Sequence, residues 1–142
     1  MEESGLKRIL NWEGIQERLS PIYQDDGLKL VLLFGSAVSE KTHRQSDIDL
    51  AFLYDKPAEL LALINRVVKL LHFDRVDAVD LRSANTLLKF SIAKSSRVLY
   101  ERSPGLFSEF YSLAFRMYVD SKKLREARSE AIKSFIEARG LA

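Results

Sequence analysis

At 142 residues, 46% hydrophobic and 30% charged, the chain has the size and composition of one ordinary globular domain with a real core. It has no cysteine, which excludes a disulfide framework or a thiolate metal site and suits a reducing, cytoplasmic home. A net charge of +2 gives no ground for direct nucleic-acid binding, no apolar run approaches the ~20 residues of a membrane span, and the opening MEESGLKR is no secretory signal.

Residues 4–23 read as a helix. Trp12, Ile15, Leu19 and Ile22 recur at helical spacing, Asn11 suits a cap, and Pro21 ends or kinks the segment near Ser20. Gln24 to Gly27 then form a turn, with Asp25 and Asp26 expected as surface residues. An apolar run from Leu30 to Phe34 follows and breaks at Gly35-Ser36. After a polar connection from Ala37 to Ser46, a second apolar run, Ile48 to Tyr54, begins inside Asp47-Ile48-Asp49. Short apolar runs bounded by Gly, Ser and Asp read as buried strands.

The second of these strands carries chemistry. Alternation sends Ile48, Leu50 and Phe52 to one face and Asp47 and Asp49 to the other, with the two carboxylates about 6–7 Å apart along the strand. Like charges fixed on one face repel, and a divalent cation relieves them. Carboxylate oxygens without Cys favour a hard ion, Mg²⁺ or Mn²⁺. Gly35 lets the backbone approach a ligand, a turn opening into a helix aims N–H groups at an anion, and the Ser36 hydroxyl can donate to a phosphate oxygen. A phosphate cradle beside metal-binding carboxylates makes a nucleotide-triphosphate site. In the connection, Lys41 and Arg44 are either solvated loop charges or cations that reach the triphosphate.

Further on, Pro57 suits the first turn of a helix from Ala58 to Leu71, whose apolar stripe packs on the sheet and returns the chain to a third strand, Arg75 to Leu81. Asp77 and Asp80 lie three positions apart on that strand and face opposite sides, so only one of them can join Asp47 and Asp49. A short helix over 84–95 and an edge strand, Arg97 to Glu101, follow. Ser103-Pro104-Gly105 is the clearest breaker, which divides the chain into a core, 1–103, and a C-terminal helical extension, 104–142. The extension reads as an aromatic helix, Leu106 to Val119, packed on the core or on a partner, and a basic-faced helix, Ser121 to Arg139.

Gly35-Ser36, ten intervening residues, and then Asp47-x-Asp49-Leu50 resemble the signature of the DNA polymerase beta-type nucleotidyltransferases. The short chain and the stretches LLFGSA and SDIDLAFLY are most similar to the minimal nucleotidyltransferase (MNT) subgroup, which includes antitoxins paired with HEPN toxins. The resemblance runs from about Leu28 to Tyr100. It implies an α/β (α+β) nucleotidyltransferase fold: a small mixed sheet flanked by helices. It implies Asp47, Asp49 and Asp77 as metal-holding, catalytic carboxylates, favouring Asp77 over Asp80 because MNT proteins carry a Val-Asp-hydrophobic strand here. Gly35, Ser36, Ser46 and Arg44 become the nucleotide-contacting residues. Many members carry a further Gly and an Arg after the Gly-Ser pair, where this chain has Val38 and Ser39.

The implied activity is Mg²⁺-dependent transfer of AMP from ATP to a hydroxyl, foremost a tyrosine of a cognate HEPN ribonuclease toxin, with the chain acting as antitoxin, alone as a homodimer or in a hetero-oligomer with the toxin. Two other readings stand beside it: a non-catalytic antitoxin that acts by occlusion, and an aminoglycoside-type enzyme with a small-molecule acceptor.

Overall fold

The computed structural model describes residues 11–35 and 47–140. Helix α1 spans Trp12–Arg18, and the Asn11 side chain caps it by accepting from the Gly14 N–H at 2.7 Å. The part of the expected helix before Asn11 lies outside the described residues. Pro21 ends the helix as expected, and the chain turns through a short 3₁₀ segment, Ile22–Gln24, with Ile15, Leu19 and Ile22 fully buried.

Strands β1 (Leu28–Phe34) and β2 (Ile48–Tyr54) pair antiparallel, with Phe34 opposite Asp49. Helix α2 (Leu60–Leu71) then crosses to β3 (Val76–Asp80), which pairs parallel with β2. The helix begins two residues later than the sequence suggested. His72 ends it in the left-handed conformation, with φ at 52°. Helix α3 (Thr86–Ser95), capped by Asn85, leads to β4 (Arg97–Glu101), which pairs antiparallel with the free side of β1. The order is β3-β2-β1-β4, so β4 is an edge strand as expected and the sheet is mixed.

The sheet is covered on both faces, and this explains why β1 reads as a continuous apolar run. On one face, Val31, Leu33, Ile48, Leu50, Phe52 and Ala78 pack against α1 and α2 through Ile15, Leu19, Leu63, Val67 and Leu71. On the other, Leu32, Ala51 and Leu81 pack against Ile92 of α3 and Phe107 and Phe110 at the start of the last helix. Each Val, Leu, Ile or Phe side chain fully buried here stabilises the fold by about 1.5–3 kcal/mol. The N-terminal segment is also pinned to the edge strand: Gln16 Nε2 donates to the Leu99 carbonyl at 2.9 Å, and Tyr23 stacks on Tyr100 with ring centroids 4.7 Å apart.

The two helices read in the extension are one, α4, Leu106–Ala138. Nothing at Val119-Asp120-Ser121 stops a helix, since there is neither Gly nor Pro. At 33 residues it extends about 50 Å, roughly twice the length of a seven-residue strand, so only its first half finds the core. There Phe107, Phe110 and Ala114 pack inward, and Phe90 of α3 stacks on Tyr118 at 4.4 Å and tilts against Phe115 at 5.8 Å. In the second half, Leu124, Ile132 and Phe135 are each more than half exposed. Among the described residues, no helix is long and apolar enough to cross a membrane.

Candidate active site

The site forms at one end of the sheet, where β1 leaves it and β2 and β3 enter. Asp49 lies directly opposite Asp77 in the parallel pairing of β2 and β3. Partners in register put their side chains on the same face, so these carboxylates stand side by side. They project on the face that α3 and α4 cover further along, where Ala51 continues the same row. Of the two acids on β3 it is therefore Asp77 that faces Asp49. Asp80 is buried on the other face and closes the turn after β3, its Oδ1 accepting from the Arg82 N–H at 3.0 Å.

Gly35 closes the third side. Its φ of +73° is a left-handed conformation that favours glycine. A Cβ built there would fall on the Asp49 carboxylate. The sequence suggested a glycine that admits a ligand. The structure adds a second reason, for this glycine also makes room for an acid. The close approach follows from β1 pairing Phe34 with Asp49, which brings the first residue past the strand onto the carboxylate.

Asp49 is half-buried, and burial pushes its carboxyl above the usual value. The neighbouring carboxylates of Asp77 and then Asp47 push it further. Asp77 is exposed, with its Oδ1 accepting from the Ala78 N–H at 2.9 Å. Asp47, one residue before β2, is also exposed and is held by a cation that the sequence reading passed over as the first residue of a strand: Arg75 Nε donates to Asp47 Oδ1 at 2.9 Å. A one-strand periodicity cannot show that pairing, because the residues are 28 positions apart. Among the described residues, no three His, Cys, Asp or Glu side chains are already gathered into a metal cage. The donor set nevertheless fits a hard divalent cation: three carboxylates, all oxygen, one of them raised by burial and by its acidic neighbours, beside Gly35. Ser36, Lys41, Arg44 and Ser46 lie outside the described residues.

At the opposite end of β2, Asp25 is not the solvated turn residue that the sequence suggested. Arg66 clasps it through both nitrogens, at 2.7 and 3.0 Å, and the Tyr54 hydroxyl donates to it at 2.9 Å. Burial pushes this carboxyl up, but the hydrogen bonds from Arg66 and Tyr54 and the guanidinium charge outweigh it, and the group sits below its usual value.

Comparison with known proteins agrees with this fold. The sequence model of the polymerase beta nucleotidyltransferase family matches residues 17–105. The chain is 26% identical over 126 residues, 80% of its length and 84% of the relative's, to the protein adenylyltransferase MntA of Aphanizomenon flos-aquae. It superposes with a TM-score of 0.71 and 28% identity on a chain from the crystal structure of a toxin–antitoxin pair with AMP-PNP, covering 83% of this chain and 98% of that one. A chain from the structure of a tri-AMPylated Shewanella oneidensis HEPN toxin in complex with its MNT antitoxin gives 0.63 and 25%, with 84% and 98% covered. With a sheet order, a carboxylate pair and a family match over most of its core, the chain belongs to the polymerase beta nucleotidyltransferase family.

Proposed function

We propose that this protein is an antitoxin that transfers AMP from ATP to a hydroxyl group, a tyrosine of its cognate HEPN toxin, with Mg²⁺ as cofactor. The observation that carries the reading is the pairing of Asp49 with Asp77 beside Gly35, in a chain whose relatives include a protein adenylyltransferase and antitoxins solved with AMP-PNP and with an AMPylated toxin. The presence of Asp47, Asp49 and Asp77 together favours catalysis over neutralisation by occlusion alone.

In this reading the core, 1–103, does the chemistry and the helical extension, 104–142, packs on the core or on a partner. Asp47, Asp49 and Asp77 hold Mg²⁺, which when bound would neutralise the phosphate oxygens and make the attacking hydroxyl easier to deprotonate. Asp49, the least exposed of the three, sits between the other two and takes part in holding the metal whichever neighbour joins it. Asp77, exposed beside it, is open to an incoming acceptor and accepts the hydroxyl proton or completes the metal site. Gly35, Ser36 and Ser46 position the polyphosphate with Arg44 as its cation. The protein's contribution is placement and charge, with no covalent intermediate on its own side chains. A cysteine-free chain of this kind suits a cytoplasmic home.

The test is incubation of the full chain with ATP, Mg²⁺ and the toxin encoded beside it, followed by intact-mass measurement of both proteins. Addition of AMP to the toxin, lost in Asp49→Asn and Asp77→Asn, is the expected outcome. An unmodified toxin that is still neutralised would leave occlusion as the mechanism.

A further inference from the structure

Across β2 and β3 the charged side chains fall into two successive pairs. Asp49 stands beside Asp77, and two residues earlier on each segment, just before the strands begin, Asp47 is bound by Arg75. The backbones are joined at the same place, since the Ile48 N–H donates to the Arg75 carbonyl at 2.9 Å. Positions two apart share a face, so Arg75 and Asp77 on one chain segment meet Asp47 and Asp49 on the other. Four side chains thus occupy the corners of one patch, three of them acidic and the fourth a guanidinium.

We propose that Arg75 is a positioning residue: a built-in cation that holds Asp47 before divalent metal arrives and competes with the metal for that carboxylate. Three features carry this. The guanidinium occupies the corner where a fourth acid would make the repulsion around Asp49 worse. A guanidinium stays charged at every working pH, so this counter-charge is never lost by titration. The pair is also open to exchange, for Asp47 and Arg75 keep 58% and 47% of their side-chain surface exposed, and pairs of that kind bind weakly in water. The metal therefore meets a carboxylate that is already in place but not locked. On release, Arg75 stays tethered at the mouth of β3 by its own backbone.

This inference rests on the proposed metal-dependent function, and the experiment separates the two. Mn²⁺ alone is titrated into the full chain and free ion is read by electron paramagnetic resonance, for the wild type, Arg75→Ala, Arg75→Gln and Asp49→Asn. Removing the competitor is expected to tighten Mn²⁺ binding about two- to five-fold in both Arg75 variants, the size expected of a half-exposed ion pair. Melting temperature supplies a second reading. The metal-free Arg75 variants melt below wild type, and saturating Mn²⁺ removes the difference, whereas a merely structural arginine would lower both melts equally. Mn²⁺ affinity in Arg75→Gln at or below the wild-type value, with Asp49→Asn weakened, overturns the role of Arg75. Undiminished affinity in Asp49→Asn overturns the metal site and the role of Arg75 with it.

Discussion

Asp49 and Asp77 are direct partners across the only parallel strand pairing among the described residues, so two carboxylates share one patch of sheet, and among the described residues no cation bridges them. Such a pair works against the fold unless a bound cation relieves the repulsion. Asp49→Asn is therefore expected to abolish AMP transfer, by at least ~100-fold, while raising the metal-free melting temperature by about 2–4 °C at pH 7. The sign follows from linkage. The folded-state carboxyl is raised above its unfolded value, so the folded protein holds this proton more tightly, and stability falls as pH rises from the unfolded value through the folded one. Below that window Asp49 is neutral in both states and the advantage of Asn vanishes. Calorimetric melts from pH 3.5 to 8 check this, and an Asn variant that melts lower than wild type at neutral pH would contradict it.

Gly35→Ala is expected to cost about 1–3 kcal/mol, from a left-handed backbone and a methyl group driven onto Asp49. The two causes separate in a double-variant cycle. Adding Asp49→Ala removes the collision but not the backbone strain, so the pair is expected to be less destabilising than the sum of the single changes by roughly 0.5–1.5 kcal/mol. Urea unfolding of the four proteins measures this, and strict additivity would mean that the collision is absent.

Asp25→Asn tests the far end of β2. It breaks the Arg66 clasp and is expected to cost about 1 kcal/mol at pH 7. The folded carboxyl lies below its usual value, so its contribution is present at neutral pH and is lost as pH falls through the folded value. The wild type should lose its margin over the variant in acid, below about pH 4. Transfer activity at neutral pH should be unchanged, because Tyr54 lies five residues, about 16 Å, along the strand from Asp49.

The two halves of α4 are expected to respond differently to the same substitution. Phe110→Ala removes packing against the sheet and should cost about 1.5–3 kcal/mol, whereas Phe135→Ala, more than half exposed, should change the stability of the isolated chain by less than ~0.5 kcal/mol. Thermal melts of the two variants check this.

Local pattern carried much of the fold. The apolar run of β1, its stop at Gly35, and the alternation of Ile48, Leu50 and Phe52 against Asp47 and Asp49 are properties of neighbouring residues, and each element they implied is present. The choice between Asp77 and Asp80 was half legible: alternation says that they face opposite ways, but only the register of β3 on β2 says which of them faces Asp49. Asp25 looked like a surface turn because Arg66, its partner, is 41 positions away. The single α4 was missed at its middle because a change from aromatic to basic composition looks like a boundary, although helical hydrogen bonding takes no notice of it.

By itself, then, the sequence determined which residues form strands, which of their side chains share a face, and where the turns must fall, since these depend on bond geometry and on neighbours a few positions away. Only the tertiary structure decided that α2 would return β3 to the side of β2, setting Asp77 against Asp49 and Arg75 against Asp47. Register between strands is fixed by how both faces of the whole sheet bury their apolar side chains, and that sum runs over residues far apart in the chain.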